Sequence, residues 1–310
     1  MTLMDIKILI TQMTELFLVL FLGYFIFKVK LVDDNFVKKF TKLILNITMP
    51  AMILASVLRL EERQAASDVA TALIIAAALF FVILPIIGFL LAKLLRVKKA
   101  QTGLYMFMCS YSNVGFMGMP VISALFGSVG LFYTAIFNLI FNIATFTIGT
   151  WMMNIGTENG TKFNFKSLTT PGVIVSAASL VIYFINVKFP AVVTDTIDMV
   201  GSITSPSAML IIGCSLAKMN LKSVFSDARL YIWTAVKQFV LPVLLWYPLS
   251  FIVKNELLLS VSYILVAMPV ANTAVLFATD FNSDTELAAR GVFITTLFSL
   301  LTVPLCVLIH

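Results

Sequence analysis

The chain has 310 residues, of which 60% are hydrophobic and only 12% charged, and its mean hydropathy is +1.03. That is too little polar surface to cover a water-soluble globule, and no long polar stretch marks a separate soluble domain. The net charge of +6 is not a nucleic-acid signature, because the basic residues lie in or beside short loops between apolar runs.

Taken in chain order, the apolar runs predict ten spans, at 6–27, 37–58, 68–92, 101–126, 130–154, 171–188, 192–217, 228–253, 258–280 and 287–309. The first is preceded by Asp5 and has no basic leader or small-residue cleavage site, so it reads as a retained helix rather than a signal peptide. The longest connection, 156–170, is largely polar and separates a first half, 1–155, from a second, 171–310. Five spans per half is an odd number, so the second half enters the membrane from the opposite side and the repeat is inverted. Fifteen lysines and arginines flank the loops after the odd-numbered spans and five flank the opposite side. That bias puts linker 156–170 in the cytoplasm and both termini outside a plasma (inner) membrane.

The repeat is also visible in the prolines. Pro50 and Pro206 are 156 positions apart, Pro85 and Pro242 are 157, and Pro120 and Pro269 are 149. Met119-Pro120-Val121 recurs as Met268-Pro269-Val270. A proline lacks an N–H and clashes with the carbonyl four residues back, which frees Phe116 in span four and Leu265 in span nine. Gly115 and Gly118 ease unwinding before Pro120. Non-helical backbone at membrane depth survives only inside protein or beside water. If spans four and nine cross at their breaks, two half-helix N-termini converge on a site for an anion, most simply a carboxylate. Asn113 and Asn272 then supply directional hydrogen bonds. The plainer alternative is a pair of ordinary proline kinks.

Two charges sit well inside spans. Glu15 shares a helical face with Thr11, and reads either as a proton or cation site or as a hydrogen-bonded packing feature. Lys237 reads as a cation that attracts an anionic substrate or stands in for a coupling ion. It is roughly nine residues, or ~14 Å, into span eight, too deep for easy snorkelling to an interface. Asn138 and Asn142 share one face of span five and either reach the crossing or bond a neighbouring helix. Cys109, Cys214 and Cys306 read as reduced packing thiols, and the one histidine is His310. No metal cluster, phosphate loop or catalytic pair appears, so neither an enzyme nor an ATP-driven pump is expected, and no cofactor beyond a coupling proton or sodium ion.

Several motifs resemble those of the auxin efflux carrier family, which includes plant auxin exporters and bacterial malonate and malate carriers. They are Leu22-Gly23-Tyr24 with Leu31-Val32-Asp33-Asp34, Leu45-Asn46 with Pro50, and Asn113-x-Gly115-x-x-Gly118-x-Pro120. Asn142 with Phe146-Thr147-x-Gly149, Gly213-x-Ser215-Leu216 and Ala267-Met268-Pro269 complete the set. The resemblance implies ten helices in two inverted repeats. Spans one, two, six and seven would form a dimerising scaffold, and spans three to five and eight to ten a transport domain. Asn113, Pro120 and Pro269 would line a substrate site where four and nine cross. The long central loop of the large plant members is absent, which makes auxin a poor first guess.

The expectation is therefore an all-α polytopic carrier of a small organic acid, embedded in the lipid bilayer as a homodimer and working by alternating access. A sodium/proton antiporter or sodium-coupled symporter is the rival within transport. A membrane sensor is the rival of another class, although no output domain is visible.

Overall fold

The computed structural model describes residues 3–60, 64–155, 171–185, 187, 189–218 and 228–308. The expected linker 156–170 lies outside them. The described chain is helical almost throughout. Among the described residues, six helices are long and apolar enough to cross a membrane: Asp34–Leu58, Ala66–Leu94, Val114–Met153, Ala191–Ala217, Ala228–Ile252 and Thr285–Cys306. Leu3–Lys28 precedes them, and Lys99–Ser110, Pro171–Ile185, Glu256–Ala267 and Thr273–Asp280 are shorter. The run Val114–Met153 is interrupted at Gly127, whose φ of 59° lies in the left-handed region that only glycine adopts freely.

Most of the repeat prolines do not break their helices. Pro50, Pro85, Pro120 and Pro242 each follow a five-residue π segment: Ile44–Thr48, Leu79–Ile83, Val114–Gly118 and Val236–Val240. In three of these the N–H just before the proline reaches back five residues: Met49 to Ile44, Leu84 to Leu79, and Leu241 to Val236. The wider turn makes room for a ring that would strike the i−4 carbonyl of an α-turn, so the helix runs on through the proline. Pro206 sits in the first turn of Thr204–Ala217, where a missing N–H costs little. Only Pro269 lies in a true break. The expectation that Pro120 unwinds span four is therefore corrected, since the interruption falls at Tyr111–Asn113, seven residues earlier.

The chain divides into two compact units. One comprises Met1–Ala72, Gly115–Leu139 and Thr169–Lys218. Within it Leu3–Lys28 lies along Thr204–Ala217 at backbone contact, and the Cys214 thiol donates to the Gly23 carbonyl at 3.3 Å. Its core joins Ile44, Met49, Ile53, Met119, Leu131 and Ile211. At one surface Arg59 pairs with Asp195 at 3.1 Å and Asp198 at 3.0 Å.

The other unit comprises Leu73–Val114, Ile140–Leu168 and Met219–His310. Its centre is aromatic. The Phe107 ring lies 4.8 Å from Tyr111 and 5.0 Å from Phe277, and Phe141 packs edge-on to both Phe80 and Tyr111. Tyr111 donates its hydroxyl to the Ala144 carbonyl at 3.0 Å. This cluster surrounds Tyr111, the residue at which span four stops being helical.

Candidate functional site

Within the second unit, two helices end in mid-structure and restart. Lys99–Ser110 stops before Tyr111 and helix resumes at Val114; Glu256–Ala267 stops before Met268 and helix resumes at Thr273. The two gaps cross as extended strands, with an isolated antiparallel bridge between Ser112 and Val270. Asn113 N–H donates to the Pro269 carbonyl at 2.7 Å, and Ala271 N–H donates to the Tyr111 carbonyl at 3.0 Å. Each break thus supplies the backbone partners that the other loses, as buried peptide groups require.

Pro269 explains the second break. Its ring removes the N–H that would meet the Leu265 carbonyl, and it holds Met268 extended at φ −58°, ψ 150°. Val270 N–H then turns away from Val266 and donates to Thr295 Oγ1 at 3.0 Å. The Val266 and Met268 carbonyls are left without their helical donors, and Lys237 answers both. Its Nζ donates to Met268 O, to Val266 O at 3.4 Å and to Ser112 Oγ at 2.9 Å. Ser112 Oγ in turn donates to Val266 O at 3.3 Å. Lys237 is fully buried, so an ammonium with three N–H bonds is matched to three oxygens inside the protein.

This arrangement sorts the helix ends by sign. The carbonyl end of Glu256–Ala267 carries partial negative charge and has a cation fixed on it. The amide end at Thr273 carries partial positive charge with Asn272 directly before it, and Asn113 stands before Val114, whose N–H donates to the Ser112 carbonyl at 2.8 Å. Asn113 is buried, whereas Asn272 is half-exposed and does not cap its own helix.

The family model described as membrane transport protein, of the auxin efflux carrier type, matches residues 8–307. This chain belongs to that family. It is similar to the uncharacterized transporter MJ1031 of Methanocaldococcus jannaschii, 26% identical over 91% of this chain and 92% of the relative. It is also similar to the uncharacterized transporter YfdV of Escherichia coli K12, 24% identical over 96% of both. An uncharacterized transporter of Methanothermobacter thermautotrophicus is 23% identical over 95% of this chain and 96% of its own length.

For this membrane transporter the sequence-predicted site residues fall into two groups. Asn113, Pro269, Asn272 and Lys237 belong to the crossing unit, as does half-buried Asn142. Gly115, Gly118, Pro120 and Asn138 belong to the other unit. There Asn138 is buried with its Oδ1 beside Gly115, so that a Cβ added to that glycine would lie 3.7 Å away. Glu15 is exposed on Leu3–Lys28. A cavity of about 280 Å³ in the same unit, lined by Ser56, Ser123, Asp198 and Ser202 among others, contains no residue predicted for the site.

Three crossing residues were not anticipated: Ser112, Thr295 and Gln238. Thr295 accepts from Val270 N–H while donating to the Gly291 carbonyl at 2.7 Å. Gln238 Nε2 donates to the Thr295 carbonyl at 2.7 Å. A serine or threonine in an apolar helix ordinarily bonds its own preceding turn, so nothing in sequence singles these out. Thr295→Val keeps the shape but orphans a buried N–H. A loss of about 1–3 kcal/mol is expected, read as a lower melting temperature of the purified protein in detergent.

Proposed function

We propose that this transporter is a secondary-active carrier of a small organic anion, a mono- or dicarboxylate, working by alternating access. One observation carries the reading. At the crossing the carbonyl end of Glu256–Ala267 is met from within by Lys237, while Asn272 stands before the partly positive start of Thr273–Asp280 and Asn113 lies in the facing strand, which favours a ligand of negative sign. A carboxylate complements the sign of the Thr273 helix end and matches the hydrogen-bonding capacity of the asparagine side chains beside the crossing.

The wider architecture in this reading is ten spans in two inverted repeats, with both termini outside a plasma membrane. The bridge supports the repeat, because Ser112 and Val270 are 158 positions apart, close to the 156 and 157 that separate two of the proline pairs. Spans one, two, six and seven form the scaffold, through which the carrier dimerises. Their common membership of one compact unit supports this, although that unit also takes in Gly115–Leu139. The sodium/proton antiporter is disfavoured because neither Tyr111–Val114 nor Met268–Thr273 contains an Asp or Glu. Membership of a transporter family sets the sensor reading aside.

The test is uptake of labelled malate, malonate, lactate and indole acetate into sealed proteoliposomes, with and without a proton gradient. Saturable uptake of one acid is expected, with its apparent affinity weakened about tenfold or more in Asn113→Ala as a buried hydrogen bond to a charged ligand is lost. Absence of uptake for every acid would overturn the reading.

A further inference from the structure

Lys237 occupies the place where a coupling cation would be expected to bind. The oxygens around its Nζ are two main-chain carbonyls from an unwound helix, Val266 and Met268, and one hydroxyl, Ser112. Nitrogen and sulfur ligands are absent from this set, and so is any carboxylate. Neutral oxygens alone suit a hard monovalent ion, because divalent ions require carboxylate charge. Carbonyls at the C-terminal end of a broken membrane helix also carry the partial negative charge that such an ion seeks. The break at Pro269 releases the Val266 and Met268 carbonyls, and the strand pairing brings Ser112 beside them. The lysine itself comes from a π segment, Val236–Val240, a distortion often found where a helix serves function.

We propose that the Lys237 ammonium is a tethered, built-in replacement for a coupling sodium ion, and that removing it converts Ser112 Oγ, Val266 O and Met268 O into a sodium site. A cation tethered in this place makes the native protein indifferent to sodium. The inference rests on the crossing being the transport site, but it can be read without any organic acid, so its failure is separable from failure to carry carboxylates.

The experiment compares native protein, Lys237→Ala and Lys237→Gln, purified in detergent, by thermal unfolding in about 150 mM sodium chloride and in choline chloride. Lys237→Ala should melt about 5 °C higher in sodium than in choline, as for a ligand that binds only the folded state. The native protein and Lys237→Gln, whose amide can still donate to these oxygens, should show no difference. A sodium response in the native protein as large as that of Lys237→Ala would overturn the proposal, since the site would then lie elsewhere. So would a folded Lys237→Ala with no response. A Lys237→Ala that fails to fold even in sodium while Lys237→Gln folds would overturn it as well, because the oxygens would then need a donor rather than a cation.

Discussion

Gly213→Ala is expected to cost this transporter more than 4 kcal/mol, enough to remove most folded protein from membranes. Helix propensity alone points the other way: an alanine in the middle of Thr204–Ala217 should stabilise it by about 1 kcal/mol. The packing decides. A Cβ on Gly213 would overlap the Leu20 carbonyl oxygen and come within 2.7 Å of the Tyr24 nitrogen and 3.0 Å of the Gly23 carbonyl carbon. All three are backbone atoms of the facing helix, so no side chain can swing aside. Leu3–Lys28 would have to retreat, opening the contacts of Phe17, Leu20, Ile211 and Ile212, all buried. Small residues allow this approach, and in a membrane close backbone packing is a principal source of helix association. Gly172→Ala is the control, because nothing lies within 4 Å of the added carbon. Fluorescence-detected chromatography of both variants should show Gly172→Ala at native yield and Gly213→Ala depleted. Equal yields would mean that the two helices are not locked at this point.

The same contact shows what was legible in the chain. Leu22-Gly23-Tyr24 and Gly213-x-Ser215-Leu216 stood out as motifs, but sequence carries no sign that the two glycines meet each other across 190 positions. The apolar runs at Asp34–Leu58, Ala66–Leu94, Ala191–Ala217, Ala228–Ile252 and Thr285–Cys306 were readable because membrane thickness dictates their length. The prolines were readable as sites of distortion, yet not as to its kind. Pro50, Pro85, Pro120 and Pro242 are absorbed by a π turn, and whether a proline widens a helix or ends it depends on neighbours elsewhere in the chain. At Tyr111–Asn113 the break contains neither proline nor glycine and is held by bonds to Pro269 and Ala271, so local signals pointed seven residues too far along. Lys237 was conspicuous by its depth, whereas its carbonyl partners became available only through the break at Pro269.

That dependence makes Pro269→Ala the substitution with the largest expected effect on transport. Alanine restores an N–H that can bond the Leu265 carbonyl, and it lifts the restriction that keeps Met268 extended. Both changes favour continuing the helix from Ala267 toward Thr273. Continued helix would recapture the Val266 carbonyl from Lys237 and Ser112, and it would draw Pro269 O and Ala271 N–H away from Asn113 and Tyr111. The positive end at Thr273 would vanish into the ladder, and with it half of the proposed anion site. The residues after Ala267 would exchange crossing bonds for helical ones, but Asn113 N–H, the Tyr111 carbonyl and buried Lys237 would lose partners, so stability should fall as well, by about 1–3 kcal/mol or more. The expected result is uptake reduced at least a hundredfold, with a lowered melting temperature but folded protein still recovered. Uptake within about twofold of native would show that the break is held by the strand pairing and Lys237 without the proline. Loss of folded protein would instead mean that the crossing is indispensable to the unit's core. In that case Lys237, Ser112 and Thr295 are structural before they are functional, and the Asn113→Ala uptake measurement alone bears on the substrate.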